Sequence, residues 1–342
     1  MNEFFSTGAK RTVVVTGGNQ GLGYACAAAL ADSGQNTCVI IAGHDRERIT
    51  AASEKLRRQC SARVEPMLLN LASLRSIHYF SENLSEEVRL GQLPPLHALV
   101  CNAAVLIPSG ISHTPDGYEQ AFGVNHLGHF VLVNSLLPLM AEPGRIVVVA
   151  GGARWPWGQV DPAKLMTPPE PRRLAWLDLP EGLRLSGLDR YRHSKHCNLL
   201  FAQELNRKLV AARQTGGPDI GVNVFYPSPT PGTQLIRHWP GWVRWLWQSS
   251  TLRTLGQVCG ANIKTLEDSG RSLARLVTDP ALKGVSGQYF QGCDECQGKE
   301  FPGDPEVSRK FWEDCAELLR WQPAGAEQRP ANAARFLAFQ EL

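Results

Sequence analysis

Short runs rich in β-branched residues alternate along this chain with longer amphipathic segments, and this alternation restricts the fold more than any other feature. Strand-like runs include RTVVVTG from residue 11, TCVIIAG from residue 37 and RIVVVAG from residue 145. Parallel strands need a crossover connection, and that connection is usually a helix. The alternation therefore predicts an α/β fold with a doubly wound parallel sheet of seven strands, the Rossmann arrangement.

The length of 342 residues is compatible with two domains, but no segment has the composition of a linker between two cores. We expect one dinucleotide-binding domain over residues 1–320 and a C-terminal tail over residues 321–342. Two insertions, at about 152–189 and 233–260, depart from the alternating pattern and are expected to form walls of the substrate site. The first is rich in proline, and the second contains four tryptophans.

Composition excludes several classes of function. With 35 basic and 32 acidic residues, the chain has no basic field that would bind nucleic acid. The N-terminus lacks the apolar run of a signal peptide, and no stretch reaches the roughly 18 apolar residues of a membrane span. Nine scattered cysteines suit a reducing compartment, so a cytoplasmic location is expected. Cys293 and Cys296 lack a second pair at zinc-site spacing, so no metal is expected.

The string TGGNQGLG, at residues 16–23, follows a strand and opens a helix. In that context a glycine-rich turn is typical of a dinucleotide site. Gly17 would allow the tight turn. Gly21 and Gly23 would let the backbone and the helix N-terminus approach a pyrophosphate.

A tyrosine and a lysine stand four residues apart in the string YRHSK. On a helix this spacing places Tyr191 and Lys195 on one face. The Lys195 ammonium can then stabilise a phenolate and lower the pKa of Tyr191 from its usual value of about 10. The pair predicts an acid that could deliver a proton to a substrate.

Three further strings occur in an order and spacing that resemble the short-chain dehydrogenase/reductase family: LVCNAA at 99–104, GVNHLGHF at 123–130 and YRHSKHCNLLFAQELNRKL from residue 191. The similarity covers roughly residues 11–320. It is closest to the retinol-dehydrogenase-like and light-dependent protochlorophyllide reductase-like branches. The resemblance implies NADP(H) or NAD(H) as cofactor and a hydride-transfer reaction.

The resemblance also assigns roles to individual positions. It implies that Tyr191 donates the proton, that Lys195 adjusts the pKa of Tyr191 and contacts the ribose, and that Asn125 holds a water in the proton relay. The cofactor-binding positions that it implies are Gly17, Asn19, Gln20, Gly21, Leu22, Gly23, His44, Arg46, Asn70, Leu71, Asn102, Ala103, Ala104, Lys195, Pro227, Ser228 and Thr230.

The cofactor type depends on the end of the second strand, which reads AGHDRER. His44 falls where many NADPH-using relatives carry arginine, and Arg46 and Arg48 are close by. A basic side chain there favours the 2′-phosphate, whereas Asp45 could accept hydrogen bonds from the ribose hydroxyls of NADH. We expect NADP(H).

Several positions depart from the family pattern. Gly151 stands where relatives carry a serine that hydrogen-bonds the substrate carbonyl, and Asn70 replaces the usual aspartate. An amide oxygen can still accept a hydrogen bond from adenine. The Pro-Gly and threonine that meet the nicotinamide are also altered, so that either Ser228 or Thr230 could serve. Residues expected to line the substrate site are Gly151, Trp155, Trp239 and Trp242.

These features predict an NADPH-dependent oxidoreductase that reduces a bulky hydrophobic carbonyl or conjugated compound, with secondary metabolism as one setting. The alternatives are a non-redox isomerase, dehydratase or cyclase on the same fold, and a pseudoenzyme that binds NADPH. The tryptophan segment could be a substrate lid, a peripheral membrane contact or a packed helix. The expected partner is a small hydrophobic substrate, and the resemblance makes a homo-oligomer a reasonable expectation.

Overall fold

The computed structural model describes residues 9–150, 154–155, 158–159, 186–227, 230, 241, 264–291, 299–300 and 304–320. Most of both expected insertions, and the whole of the tail at 321–342, lie outside these residues.

A single large sheet organises the fold. In chain order its strands are β1 (Arg11–Thr16), β2 (Thr37–Gly43), β3 (Val64–Leu68), β4 (Leu96–Cys101), β5 (Met140–Val149), β8 (Ile220–Tyr226), β9 (Gln288–Gln291) and β10 (Lys299–Glu300). A separate two-stranded antiparallel hairpin is made by β6 (Arg154–Trp155) and β7 (Gly158–Gln159).

The strand order across the sheet is β10-β9-β8-β5-β4-β1-β2-β3. Strands β1 to β5, β8 and β9 are parallel, which confirms the predicted doubly wound α/β fold. Beyond the seven predicted strands, β10 adds an antiparallel edge strand beside β9. The order reverses between β1 and β4, and ligands of such sheets bind beyond the carboxyl ends of the strands at this reversal.

The helices are α1 (Gly21–Asp32), α2 (Arg46–Gln59), α3 (Leu74–Arg89), α4 (Gln120–Phe122), α5 (Gly128–Leu136), α6 (Gly187–Gln214), α7 (Leu266–Thr278) and α8 (Pro305–Arg320). A π-helical turn, Gly123–Leu127, joins α4 to α5. The sequence pattern predicts one helix over about 118–140, so this prediction is wrong in two respects: the helix contains a π turn, and Met140 already belongs to β5. In the described part of the chain, no helix is both long and apolar enough to cross a bilayer.

Apolar clusters cover both faces of the sheet, as a parallel sheet requires. Side chains of α1, α2 and α7 pack on one face. Side chains of α3, α5, α6 and α8 pack on the other. Trp312 of α8 packs against α5 and α6, with its ring centroid 4.7 Å from that of Phe130 and 5.5 Å from that of Phe201. The last described helix therefore forms part of the core that supports α5 and α6.

Candidate active site

The glycine-rich turn between β1 and α1 has the conformation that the sequence predicts. Gly17 and Gly21 have φ angles of +65° and +53°, a region that disfavours residues with a side chain. A Cβ atom at Gly17 would lie 3.0 Å from the Cα of Ala103. At Gly23, a Cβ atom would overlap the carbonyl oxygen of Gly17 and lie 2.5 Å from Asn102 Nδ2. The glycines therefore let the turn and the start of α1 pack closely against the 102–103 segment.

The N-terminus of α1 has no side-chain cap. Within the described residues, Gln20 at the N-cap makes no side-chain capping hydrogen bond, and the first turn contains no acidic residue. The first N–H groups of a helix lack partners inside the helix and attract anions. The polarity of this helix start suits the pyrophosphate of a dinucleotide. Contacts of Asn19, Gln20 and Leu22 with the cofactor stay predictions.

Thr16, at the end of β1, ties the turn to the end of β4. Its Oγ1 accepts hydrogen bonds from the backbone N–H groups of Asn102 (2.9 Å) and Ala103 (3.0 Å). Asn102 Nδ2 donates to the carbonyl oxygen of Thr16 at 2.9 Å. Thr16 therefore joins the end of β1 to the predicted cofactor-binding residues Asn102 and Ala103 in one hydrogen-bonded unit.

The start of α2 carries the residues expected to select the cofactor. Asp45 caps the helix by accepting the backbone N–H of Arg48 at 3.1 Å, and its carboxylate also lies 3.1 Å from Arg48 Nε. His44 and Arg46 are exposed. Asp45 is thus already bonded within its own helix turn, which makes it a poorer ribose acceptor than the sequence alone suggests.

Asn70 and Leu71 follow β3. The side-chain oxygen of Asn70 accepts the backbone N–H of Ala72 at 3.0 Å, so only its remaining lone pair could receive a hydrogen bond from adenine. Leu71 is buried, and its carbonyl would lie 2.5 Å from a Cβ atom at Gly128. The adenine contact stays a prediction.

A buried ion pair fixes the start of α6, the helix that carries Tyr191. Arg190 Nε donates to Glu119 Oε1 at 3.2 Å, and the two side chains are only 6% and 2% exposed. Arg190 also donates to the carbonyl of Gly110 at 2.5 Å, while Glu119 accepts the backbone N–H of Phe122 at 2.8 Å. A Cβ atom at Gly187 would overlap the carbonyl of Ile107. The first turn of α6 is therefore held tightly against the segment that follows β4.

Tyr191 and Lys195 lie one helical turn apart, and Lys195 Nζ is 5.9 Å from the centre of the Tyr191 ring. Lys195 is buried and donates to the carbonyl oxygen of Val149, at the end of β5, at 2.9 Å. Burial lowers the pKa of Lys195 to about 8.

Burial raises the pKa of Tyr191, and the neighbouring Tyr226 raises it further. The net shift of the Tyr191 pKa is therefore upward, opposite to the lowering expected from Lys195. The main physical cause is the burial of the phenol.

The π-helical turn places Asn125 beside this pair. Its side chain is fully buried, accepts the backbone N–H of Val105 at 2.7 Å and donates to Ser194 Oγ at 2.9 Å. Ser194 in turn donates to the carbonyl oxygen of Tyr191 at 2.7 Å. Asn125 is thus connected to the backbone of the predicted proton donor. Its role in holding a water stays a prediction.

The remaining predicted residues are only partly described. Thr230 is buried, and its hydroxyl lies 3.0 Å from that of Ser269 on α7, so it already has a hydrogen-bonding partner. Pro227 directly follows β8. Trp155 is described only as backbone of β6. Gly151, Ser228, Trp239 and Trp242 lie outside the described residues.

Sequence reasoning did not single out Thr16, His129, Arg190 or Ser194, although each lies inside or beside a recognised string. A polar residue in a buried helix or strand was the available signal, but its partners are distant in the chain. His129, for example, contacts Thr16 across 113 positions.

Comparisons with known proteins agree with this geometry. The family profile described as short chain dehydrogenase matches residues 11–157. Retinol dehydrogenase 14 of Mus musculus is 34% identical over 322 residues, which is 90% of this chain and 85% of that protein. Protochlorophyllide reductase A, a chloroplastic protein of Oryza sativa subsp. japonica, is 33% identical over 331 residues, covering 90% and 80%.

A short chain dehydrogenase from Burkholderia cenocepacia J2315, solved in complex with NADP, has the same fold. Its TM-score is 0.58 at 19% identity, covering 84% of this chain and 98% of that one. The fold, the glycine-rich turn, the Tyr191–Lys195 pair and the relatives matched over most of their length all agree: this chain belongs to the short-chain dehydrogenase family.

Proposed function

We propose that this protein is an NADP(H)-dependent oxidoreductase that reduces a bulky hydrophobic carbonyl or conjugated compound. The observation that carries the proposal is the start of α6. There Tyr191 lies one turn from a buried Lys195, whose Nζ is held at the end of β5 beside the crevice. A binding protein without chemistry would have no need of a buried ammonium beside a phenol, because burying a charge is costly.

The cofactor proposal is supported by the two neighbouring helix starts. The open N-terminus of α1 suits a pyrophosphate. At the start of α2, the exposed Arg46 and His44 suit a 2′-phosphate, while Asp45 is bonded to Arg48. The Burkholderia cenocepacia protein of the same fold was solved with NADP.

The chemistry of the site follows from the charges of its groups. A bound NADPH would supply a hydride. The phenol of Tyr191, kept protonated at neutral pH by its raised pKa, would deliver the proton that completes an alcohol or a saturated bond. Lys195, with a pKa of about 8, is mostly cationic at neutral pH and would stabilise the developing phenolate.

The proposed substrate class rests on Gly151. Relatives use a serine hydroxyl at this position to bind the substrate oxygen, and a donor of that kind is worth about 3 kcal/mol in a transition state. Glycine has no such hydroxyl. A conjugated system spreads the negative charge over several atoms, so it depends less on a single donor than a simple ketone does.

Oxidation of NADPH, followed by absorbance, tests the proposal directly. A panel should contrast conjugated polycyclic carbonyls with saturated ketones of similar size, using Tyr191→Phe as the matched blank. We expect turnover of conjugated members only, a loss of about a thousandfold in Tyr191→Phe and NADPH affinity within about twofold of the wild type. Retention of most activity by Tyr191→Phe would show that the proton comes from another group.

Restoring the hydroxyl tests the substrate class. We expect Gly151→Ser to raise the reduction of simple ketones by about tenfold, equivalent to about 1.4 kcal/mol, with little gain on conjugated substrates. Gly151→Ala controls for the added volume. An equal gain in both variants would show that the hydroxyl is not responsible.

A further inference from the structure

A buried histidine lies between the cofactor-side turn and the catalytic residues. His129, in the first turn of α5, is 1% exposed. Its Nε2 is 2.9 Å from Thr16 Oγ1, and its Nδ1 is 3.0 Å from the backbone carbonyl oxygen of Asn125. The mechanism above does not use this side chain.

The contacts of His129 determine where its ring proton resides. A carbonyl oxygen can only accept a hydrogen bond, so Nδ1 must carry a hydrogen. Burial lowers the pKa of His129 to about 4, and the nearby positive charge of Lys195 lowers it as well. The ring is therefore neutral at neutral pH, and Nε2 carries a lone pair rather than a hydrogen.

A lone pair on Nε2 determines the direction of the Thr16 hydroxyl. Thr16 Oγ1 accepts two backbone N–H groups, from Asn102 and Ala103, and it has one hydrogen to donate. Two acceptors are within reach: His129 Nε2 at 2.9 Å and the carbonyl of Val100 at 3.2 Å. Donation to Val100 would leave the Nε2 lone pair facing an oxygen lone pair, so the hydroxyl donates to His129.

All donors in this series then point the same way. The backbone N–H of Asn102 donates to Thr16, Thr16 to His129, and His129 to the carbonyl of Asn125. A second, separate series runs from the side chain of Asn125 to Ser194 and on to the carbonyl of Tyr191. Hydrogen bonds arranged in one direction polarise and strengthen one another in a buried environment.

We propose that His129 is a positioning residue: Thr16 fixes its ring in the Nδ1–H form, and this Nδ1–H holds the Asn125 carbonyl beside the start of α6. The π-helical turn makes such an anchor necessary, because it places Asn125 in a segment with irregular helix hydrogen bonding. The expected effect of His129 on turnover rests on the proposed oxidoreductase function. The tautomer of His129 and its hydrogen bonds can be tested without that function.

Nitrogen NMR of the whole protein, with labelled histidine, tests the tautomer without any substrate. The chain has nine histidines, so the His129 signal is identified by its loss in His129→Asn. We expect a neutral ring with hydrogen on Nδ1, unchanged between pH 5 and about pH 8. A ring with hydrogen on Nε2, or one that becomes charged in this range, would overturn the proposal.

Two conservative variants separate the two hydrogen bonds. The amide of His129→Asn can occupy the position of Nδ1 and keep the donation to Asn125, whereas that of His129→Gln reaches the position of Nε2 and keeps the contact with Thr16. His129→Phe removes both. We expect kcat to be near wild type in the Asn variant and about tenfold lower in the Gln and Phe variants, as small misplacements near a reacting group produce.

A merely structural role predicts a different result, in which kcat follows the melting temperature whichever hydrogen bond is lost. An Asn variant as impaired as the Phe variant at equal stability, or a fully active Phe variant, would overturn the proposal. If no substrate is turned over by the wild type, the proposed function fails, while the NMR result still tests the arrangement of His129.

Discussion

The helices α1 and α2 follow neighbouring parallel strands at the same edge of the sheet, yet their N-termini are completed differently. At α1 the capping residue Gln20 contributes no side-chain hydrogen bond, and glycines allow the preceding turn to pack closely against Asn102 and Ala103. At α2 the carboxylate of Asp45 caps the helix and neighbours Arg48. One terminus has no side-chain cap, and the other is closed by the protein itself.

The difference teaches how a site of this kind divides its tasks. An open terminus binds an anion through backbone N–H groups. Side-chain substitutions do not change these groups, so they offer little control over the strength of anion binding. A closed terminus supports exposed side chains such as Arg46, which can change without disturbing the fold. Affinity for the dinucleotide should therefore depend on α1, and the choice between NADPH and NADH on α2.

The start of α6 is a second closed terminus and provides the largest expected effect. Arg190→Met removes one partner of the buried pair and leaves the charge of Glu119 unpaired, which costs about 3–5 kcal/mol in the free energy of unfolding. Arg192→Met, which breaks a partly exposed pair with Asp189 on the same helix, is the control and should cost less than about 1 kcal/mol. Urea unfolding measures both. Equal losses in the free energy of unfolding would show that burial does not determine how strongly the Arg190–Glu119 pair stabilises the start of α6.

At the open terminus, Gly23→Ala should have the next largest effect. The added Cβ would meet the carbonyl of Gly17 and the amide of Asn102, so the turn must move. We expect the Kd for NADPH to rise by about a hundredfold, equivalent to about 2.7 kcal/mol. Asp32→Ala, at the exposed end of α1, should leave it unchanged. Fluorescence titration that finds wild-type affinity in Gly23→Ala would contradict a role for this turn in binding.

Arg46→Ala should weaken NADPH binding by about tenfold, about 1.4 kcal/mol, and leave NADH binding unchanged. The reason is that only NADPH carries a 2′-phosphate for the guanidinium to contact. Arg58→Ala, also exposed on α2 but at its other end, is the matched control. Calorimetry that shows equal losses for both cofactors would place Arg46 away from the phosphate.

The smallest effect is expected from Asp45→Ala. Loss of the cap should lower the free energy of unfolding by about 1 kcal/mol, while the preference for NADPH over NADH persists. A strong shift towards NADPH in this variant would show that Asp45 contacts the ribose, and that the terminus of α2 is not closed as described.

Local patterns were sufficient to predict most elements of the fold. The β-branched runs identified the seven parallel strands because both faces of such strands are buried. The same local signals fixed the glycine-rich turn and placed Tyr191 and Lys195 on one helix. Even the cap at α2 could have been found, because an aspartate directly before an amphipathic segment is a helix start signal.

The parts that escaped prediction depend on contacts between distant segments. The π turn at Gly123–Leu127 interrupts a continuous helical pattern, and no local residue marks it. The proton position on His129 follows from a carbonyl and a hydroxyl that only the folded chain brings together. The pKa of Tyr191 likewise depends on burial, which outweighs the lysine one turn away.

The close packing of α1 on α7 has a consequence for the order in which the chain can mature on the ribosome. A Cβ atom at Gly270 would lie 2.5 Å from the backbone of Ala25, so the two helices pack closely at this point. Their contact residues are about 245 positions apart, and synthesis at about 5–20 residues per second separates their appearance by about 12–50 s. During that interval the apolar face of α1, with Cys26 and Leu30, lacks its partner. The nascent chain therefore exposes this apolar face of α1 until the segment that forms α7 emerges.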